Sequence, residues 1–212
     1  MIYPPLQCLT LDGHPLSHEA QVRALCDAGA EWVQLRMKLP TDCEVGEVAA
    51  AVLPVCREAG CRLIINDHVA VAMEVGADGV HLGKRDMCWK EARALLGPKK
   101  ILGGTVNSLE DAEAAIQSGV LNYVGVGPFR FTQTKANLAP VLSEAQWRSI
   151  IQRLGDLPAY AIGGIEVEDL ARIYGFGVRG CALASALYRD GAVEENLRRF
   201  KDAWSVCARR NA

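Results

Sequence analysis

Short apolar runs alternate with longer segments of helical period along the whole chain. In the longer segments the apolar residues recur every three or four positions, as in a helix that buries one face. The short runs have the length and aliphatic character of buried strands. The predicted strands are Leu6–Leu11, Trp32–Met37, Arg62–Ile65, Gly79–Leu82, Lys100–Gly104, Tyr123–Gly127, Ala159–Ile162 and Val178–Leu183. The predicted helices cover residues 18–28, 42–59, 69–75, 88–96, 108–118, 143–153, 167–174 and 193–209.

This order of elements predicts an α/β protein, a single (β/α)8 TIM barrel. Strands that alternate with helices form a parallel sheet, because each helix returns the chain to the same edge. Eight repeats in 212 residues favour closure into a barrel over an open doubly wound sheet. No linker-like segment divides the chain, so we expect residues 1–212 to form one domain. In such a barrel the chemistry collects where the strands end.

Composition narrows the range of partners. The hydrophobic share is 50% and the net charge is −2, which excludes a strongly basic surface for nucleic acid or anionic lipid. No apolar stretch approaches the roughly 18 residues that cross a bilayer, and no secretion signal is visible. We therefore expect a cytoplasmic protein with neither membrane nor nucleic-acid partners. The eight cysteines form no Cys-x-x-Cys pair and are expected to be reduced, buried thiols.

Three polar residues share one face of the second predicted strand. Gln34, Arg36 and Lys38 alternate with apolar residues, so a period of two directs them into the barrel. Two cations in a core need an anion, because an unpaired buried charge is costly. An anionic ligand meets this need, and so does an internal network of salt bridges with acidic residues on neighbouring strands. We favour the ligand.

Two aspartates follow the third and fourth predicted strands. Asp67 comes two residues after Ile65, and Asp86 follows the strand that ends at Leu82. Adjacent parallel strands bring both side chains to one rim, where two carboxylates can share a hard cation such as Mg²⁺ that also holds phosphate oxygens. Either aspartate alone could cap the next helix. Their matched positions predict a Mg²⁺ site.

Hydroxyl groups follow the fifth and sixth predicted strands. Gly103-Gly104 would permit close approach of a ligand to the backbone, and Thr105 can donate to an oxygen there. A simple loop before a capped helix explains this segment equally well. The longer loop after the sixth strand carries Thr132, Thr134 and Lys135, which suit a phosphate and could close over it.

The last two strand ends are built from small residues. Gly163-Gly164 follows the seventh predicted strand, and Ala184 and Ser185 follow the eighth. Backbone amides at these ends, each followed by a helix start, form the phosphate-binding corner that many barrels use. A tight turn alone would explain the glycines but not the small residues on the neighbouring strand.

The four histidines do not indicate a second chemistry. No His-x-x-x-His pair or catalytic triad spacing is visible among His14, His18, His68 and His81. We expect each of them to support the fold or a neighbouring side chain.

In their order and spacing, these strand-end segments resemble the thiamine phosphate synthase family across nearly the whole chain. Each segment alone is a weak indication of the family, but the combination of all of them is specific. The segments that carry the resemblance are Gln34-Leu35-Arg36-Met37-Lys38, Ile65-Asn66-Asp67, Gly76–Gly83 with Asp86, Gly127-Pro128 with Thr132-Gln133-Thr134-Lys135, and Ala161-Ile162-Gly163-Gly164-Ile165.

The resemblance implies two substrates, 4-amino-5-hydroxymethyl-2-methylpyrimidine diphosphate and 4-methyl-5-(2-hydroxyethyl)thiazole phosphate. It places the pyrimidine contact on Gln34 and the Mg²⁺ ligands on Asp67 and Asp86. The implied diphosphate contacts are Arg36, Lys38, Asn66, Thr105 and Lys135. The implied thiazole phosphate contacts are Thr132, Thr134, Gly164, Ala184 and Ser185.

By the same resemblance the reaction is a transferase reaction that releases diphosphate. Arg36, Lys38 and Lys135 would act as catalytic residues, because with Mg²⁺ they neutralise charge on the leaving diphosphate. The thiazole nitrogen attacks as a neutral nucleophile, so no general base is needed. The implied partners are small phosphorylated molecules, and a homo-oligomer is compatible with the sequence.

Three other functions remain open. A related thiazole tautomerase shares the barrel but uses a histidine in the loop after the fifth strand, where this chain has Asn107. Another phosphosugar or indole-type barrel enzyme should carry an acid–base carboxylate or lysine within a strand. A noncatalytic barrel that binds a phosphorylated ligand differs from all of these in lacking Mg²⁺-dependent turnover.

Overall fold

The eight strands close into a parallel barrel, which confirms the predicted (β/α)8 TIM barrel. The computed structural model describes residues 3–38, 40–131 and 140–210. Each strand pairs with the next one along the chain, and β8 pairs with β1. The strands are β1 Leu6–Leu9, β2 Trp32–Leu35, β3 Arg62–Asn66, β4 Gly79–Leu82, β5 Ile101–Val106, β6 Tyr123–Val126, β7 Ala159–Ile162 and β8 Gly180–Leu183.

A helix follows every strand, as the periodicity predicted. The helices are α1 His18–Asp27, α2 Asp42–Glu58, α3 Val69–Val75, α4 Trp89–Leu96, α5 Leu109–Ser118, α6 Glu144–Leu154, α7 Leu170–Tyr174 and α8 Val193–Arg210. Short 3-10 helices, Val167–Asp169 and Ser185–Gly191, follow β7 and β8. Glycines in the left-handed region end two of the helices, Gly76 after α3 with φ 76° and Gly119 after α5 with φ 65°.

Several strand ends differ from the predicted ones. β5 continues to Val106, because Gly104, Thr105 and Val106 all pair with β6. β1 and β2 end two residues earlier than predicted. There the Thr10 side chain replaces the ladder, since its Oγ1 accepts from the Arg36 amide at 2.8 Å and donates to the Arg36 carbonyl at 3.2 Å. A side chain of β1 thus fixes the backbone at the end of β2.

Apolar side chains fill two separate regions. The larger cluster lies between the strands and the surrounding helices and includes Val33, Leu35 and Met37, the outward face predicted for β2. A second cluster lies inside the barrel near the strand starts and comprises Tyr3, Trp32, Ile64, Ile101, Tyr123 and Tyr160. Trp32, Tyr123 and Tyr160 contact one another edge to face and Tyr3 stacks on Trp32, so aromatic rings close this end of the barrel.

The described cysteines are free, as predicted, and most of them are buried. The sulfur atoms of Cys26, Cys56 and Cys61 lie within 4.8 Å of one another. All three belong to the larger apolar cluster, where they pack as small hydrophobic side chains. Among the described residues, none of the helices combines the length and apolar character that a membrane crossing requires.

Candidate active site

Polar side chains from neighbouring strands converge above the aromatic cluster. Gln34 is 2% exposed, Arg36 4%, Asn66 5% and Thr105 8%, so these predicted contacts are buried within the mouth of the barrel. Gln34 stands two residues after Trp32, and Asn66 stands two residues after Ile64. The period of the strands therefore places a polar layer directly on the aromatic one.

Arg36 pairs with an aspartate that is not among the predicted contacts. Its Nη1 lies 3.4 Å from Oδ2 of Asp12, in the loop after β1. Burial lowers the pKa of Arg36, while the charges of Asp12 and Asp67 act in the opposite direction. Part of the predicted alternative, an internal ion pair, is thus present. The acidic member of this pair, Asp12, lies in the loop after β1, where the sequence predicted no site residue.

Lys38 lies at the rim instead of inside the barrel. β2 ends at Leu35, and the Lys38 side chain is 40% exposed, with its Nζ 2.6 Å from Oδ2 of Asp67. Asp67 has a φ of 68°, a left-handed conformation that aspartate tolerates better than most residues. Its amide donates to the His81 carbonyl at 2.9 Å, which ties the end of β3 to β4.

The carboxyl groups of Asp67 and Asp86 form a coupled pair. Burial would raise the pKa of Asp67, but hydrogen bonds with Asp86 and Lys38 and the charge of Lys38 bring it below the ordinary value. Burial, followed by the contact with Asp67, raises the pKa of Asp86. Asp86 also accepts from the Gly83 amide at 2.6 Å. Two carboxyl groups in contact repel each other when both are charged, and a cation would relieve this repulsion.

A chain of hydrogen bonds crosses the barrel interior beneath this rim. Nε2 of Gln34 donates to Oε1 of Gln7 at 3.1 Å, and Nε2 of Gln7 donates to the Tyr123 phenol at 3.0 Å. The phenol oxygen lies 3.0 Å from Nδ1 of His81, whose Nε2 lies 3.0 Å from Oγ1 of Thr105. The chain joins the predicted pyrimidine contact to a predicted diphosphate contact.

Neither Gln7 nor Tyr123 is among the predicted contacts, although both are buried. The sequence does contain an indication for Gln7, because it is an amide within an apolar strand and a buried amide needs a hydrogen-bond partner. His81 was expected to support a neighbouring side chain, and its contact with Thr105 is of that kind. The partners themselves depend on the order of strands around the closed barrel.

The glycines of β5 do not leave room for a ligand, which was one of the two explanations that the sequence left open for them. A Cβ on Gly103 would lie 2.3 Å from Cζ of Tyr123, and one on Gly104 would lie 3.0 Å from the Trp89 ring. Both positions are therefore occupied by neighbouring side chains. Gly103 is opposite Tyr123 in the β5–β6 ladder, so its missing side chain makes space for the tyrosine ring.

The strand-seven and strand-eight corner has the predicted elements. Gly164 has a φ of 60°, and a Cβ there would lie 2.9 Å from Cβ of Arg130. Ala184 and Ser185 lead into the second 3-10 helix. Arg130 was not predicted; it forms an ion pair with Asp169 beside this corner. Three predicted contacts, Thr132, Thr134 and Lys135, lie outside the described residues.

Asn107 has a structural partner at the end of β6. Its Nδ2 donates to the Gly127 carbonyl at 2.5 Å, and its amide donates to Asp111 at 2.8 Å. The residue that stands in place of the tautomerase histidine thus connects the loop after β5 to the next strand. An amide is neutral at all ordinary pH values, so it does not serve as an acid or a base.

Comparisons with known proteins agree with the family resemblance seen in the sequence. A family model described as thiamine monophosphate synthase matches residues 9–187. A protein of Bacteroides fragilis named thiamine-phosphate synthase is 41% identical over 198 residues, or 91% of this chain and 97% of that protein. One of Bacteroides thetaiotaomicron with the same name is 43% identical over 182 residues, or 83% of this chain and 86% of that protein.

A solved structure points the same way. It is described as thiamine phosphate pyrophosphorylase from Pyrococcus furiosus, is 28% identical, covers 96% of each chain and superposes with a TM-score of 0.84. The family match spans most of the barrel, and the relatives align over most of their own length. The chain belongs to the thiamine monophosphate synthase family.

Proposed function

We propose that this chain joins 4-amino-5-hydroxymethyl-2-methylpyrimidine diphosphate to 4-methyl-5-(2-hydroxyethyl)thiazole phosphate, giving thiamine phosphate and diphosphate. The observation that carries the proposal is the Asn66 amide. Its Nδ2 is buried and has no hydrogen-bond partner among the described residues. A buried donor without a partner is costly, and a ligand oxygen would satisfy it. The neighbouring Arg36 and Lys38 supply the positive charge that a diphosphate requires.

The departing diphosphate is the group that these residues stabilise. The bond between the pyrimidine methylene carbon and a diphosphate oxygen breaks, and its electron pair leaves with the oxygen. Arg36, with its charge held in a buried position, and Lys38 at the rim oppose the negative charge that develops. Both cations already face a carboxylate, Asp12 and Asp67 respectively, which keeps their side chains in place before the ligand arrives.

Asp67 and Asp86 are the residues that would hold Mg²⁺. They fit a hard divalent cation, because two carboxyl groups lie in contact, and burial together with the neighbouring Asp67 raises the pKa of Asp86. When bound, Mg²⁺ would lower the energy of the departing diphosphate by adding positive charge beside its oxygens. Lys38 pairs with Asp67 at 2.6 Å, so its ammonium lies beside the carboxyl pair.

The thiazole nitrogen then forms the new bond to the methylene carbon. It attacks through its lone pair, so no proton has to be removed and no general base is required. The corner formed by Gly164, Ala184 and Ser185 is the proposed contact for the phosphate of this second substrate. Thr132 and Thr134 complete that proposal, whereas Lys135 is a proposed contact of the diphosphate. The aromatic cluster closes the barrel below, which keeps water from the reacting carbon on that side.

One incubation tests the proposal. Purified protein is mixed with both substrates and MgCl₂, and thiamine phosphate and diphosphate are measured by chromatography. We expect equal amounts of the two products, and none when either substrate is left out. A folded protein that binds both substrates in calorimetry but forms no product would instead support the noncatalytic alternative.

A further inference from the structure

Three buried cysteines meet at the end of the barrel opposite the mouth. Cys26 lies in the last turn of α1, Cys56 lies in the last turn of α2, and Cys61 immediately precedes β3. Their sulfur atoms lie within 4.8 Å of one another, and those of Cys26 and Cys56 are 4.0 Å apart. We call these residues the three-thiol cluster. The proposed reaction gives none of them a role.

The end of α2 brings two of the sulfur atoms together. Gly60 follows the helix in the left-handed region with a φ of 66°, and the amide of Cys61 donates to the carbonyl of Cys56 at 2.8 Å. This is the hydrogen bond of a Schellman motif, in which the side chains at the two bonded positions often pack against each other. The spacing between Cys56 and Cys61 is therefore fixed by a helix end and not by a flexible loop.

The end of α1 supplies the third sulfur atom. Gly29 has a φ of 74°, and its amide donates to the carbonyl of Cys26 at 2.8 Å, which is a bond of the same motif. The two helices pack side by side, so Cys26 lies against Cys56. Cys56 is fully buried, whereas Cys26 and Cys61 keep a small exposed fraction, so the cluster lies close to the surface. Ordered backbone thus holds all three thiols.

The separations suit three sulfur ligands around one soft metal ion. Metal–sulfur bonds of about 2.3 Å that point to the corners of a triangle place the sulfur atoms about 4.0 Å apart. The sulfur atoms of Cys26 and Cys56 already have this separation, and the other two separations are at most 4.8 Å. Among the described residues, no fourth cysteine, histidine or carboxylate joins the group. A three-coordinate Cu⁺ ion therefore fits better than tetrahedral Zn²⁺.

The surroundings of the cluster also favour a cation. The carbonyl groups at a helix C-terminus carry partial negative charge, and two helices end here. All three cysteines lie in the larger apolar cluster, where thiols that lose their protons need a positive charge beside them. When Cu⁺ binds, copper–sulfur bonds form, sulfur–hydrogen bonds break, and the protons pass to the solvent. The charge of the ion then offsets the negative charge of the thiolates.

We propose that the three-thiol cluster binds one Cu⁺ ion, which connects the ends of α1 and α2 to the start of β3. Thiolate sulfur is a soft ligand that selects such an ion over the hard cations that carboxylates prefer. Without the ion, the same side chains pack as small hydrophobic groups. The cluster and the proposed substrate contacts lie at opposite ends of the barrel, so the proposal does not depend on the proposed function.

Anaerobic titration with Cu⁺ against a chromophoric Cu⁺ chelator measures the affinity. Cys43 and Cys88 are exposed and could bind the ion on their own, so the parent protein and every variant carry Cys43→Ser and Cys88→Ser. We expect one Cu⁺ per chain and X-ray absorption that shows three sulfur atoms at about 2.3 Å from the metal. The melting temperature should rise with added Cu⁺, because the complete set of ligands exists only in the folded chain.

Cys181 offers a matched control. It is fully buried in the same apolar region, but it lies in β8 and outside the three-thiol cluster. Cys56→Ala should weaken Cu⁺ binding about tenfold or more, because only two ligands remain. Cys181→Ala should leave the affinity within about twofold of the parent, because the ligands are unchanged. Cys61→Ala removes a ligand nearer the surface and serves as a second variant if Cys56→Ala does not fold.

The possible results decide for or against the cluster. A parent protein that does not compete with the chelator, or X-ray absorption that shows two sulfur atoms, overturns the proposal. An unchanged affinity in a folded Cys56→Ala or Cys61→Ala variant would place the ion elsewhere and overturn it too. An equal loss in Cys181→Ala would attribute the effect to general packing, with the same consequence. Formation of thiamine phosphate is a separate measurement, so failure of the proposed function and failure of the Cu⁺ site are distinguishable.

Discussion

Replacing Gly103 by alanine would place a methyl group closer to the ring of Tyr123 than van der Waals contact allows. The new Cβ would lie 2.3 Å from Cζ, 2.4 Å from Cε1 and 2.5 Å from the hydroxyl oxygen. Ordinary contact starts at 3.4 Å, so the ring has to move by about 1.1 Å. The ring is fully buried among Tyr3, Trp32 and Tyr160, so no open space receives it.

The displacement has two costs. Overpacking a well-packed core costs about 1–3 kcal/mol. The phenol also forms links of 3.0 Å to Gln7 and to His81, and a shift of this size takes them beyond hydrogen-bond range. Each such bond contributes about 0.5–1.5 kcal/mol. We expect Gly103→Ala to lower the free energy of unfolding by about 2–6 kcal/mol.

Chemical denaturation of Gly103→Ala beside Gly46→Ala measures this effect. Gly46 lies within α2, and a Cβ there would meet nothing within 4 Å, so the same substitution should raise the free energy of unfolding by about 0.5–1 kcal/mol. The melting temperatures of the two variants should move in opposite directions, and that of Gly103→Ala should fall by at least about 4 °C. A Gly103→Ala variant within about 1 kcal/mol of the wild type would refute the packing of Tyr123 against β5.

Three further predictions concern the rim. Asp67→Asn and Asp86→Asn should each abolish Mg²⁺-dependent turnover with an unchanged circular dichroism spectrum, and full activity in either would remove that residue from the metal site. Asn66→Ala should weaken binding of Mg²⁺-diphosphate about tenfold or more in calorimetry, and unchanged affinity would leave the orphaned amide without a ligand role. Without metal, the folded state binds the Asp86 proton more tightly than the unfolded chain, because its pKa is raised. The stability associated with this group is therefore present at acidic pH and is lost as the pH rises through the raised pKa. Asp86→Asn should remove this loss, so the unfolding free energy of the variant should increase relative to that of the wild type over the same rise in pH. Parallel curves of unfolding free energy against pH for the two proteins would show that Asp67 and Asp86 are not coupled.

The elements of the fold could be predicted because the period of apolar residues changes from two to about 3.6 at each boundary. β4 and β7 begin and end at the predicted residues. The ends that shifted depend on contacts that a single segment does not contain. Thr10 ends β1 and β2 through its bonds to the Arg36 backbone, and that pairing exists only once the two strands are aligned.

The rim residues could be predicted for a topological reason, whereas the interior partners could not. Parallel strands end at one edge, so a polar residue at each end is already placed near the others. A glycine within a strand signals a close approach, but the approaching group depends on register. Gly103 faces Tyr123 because these residues are opposite in the β5–β6 ladder, so the group that approaches it is a tyrosine ring and not the ligand that the sequence left open.

The layers of the barrel interior also explain why buried positive charge is tolerable at this site. Trp32, Gln34 and Arg36 follow one another at a spacing of two, so an aromatic layer, a polar layer and a charged layer are stacked toward the mouth. Arg36 is 4% exposed, and its ion pair with Asp12 at 3.4 Å is long for a strong charge-assisted bond. A dianionic or trianionic ligand would repay part of the desolvation that folding imposes on this guanidinium. The polar and aromatic layers beneath Arg36 thus hold its charge near the mouth of the barrel, where the proposed diphosphate would bind.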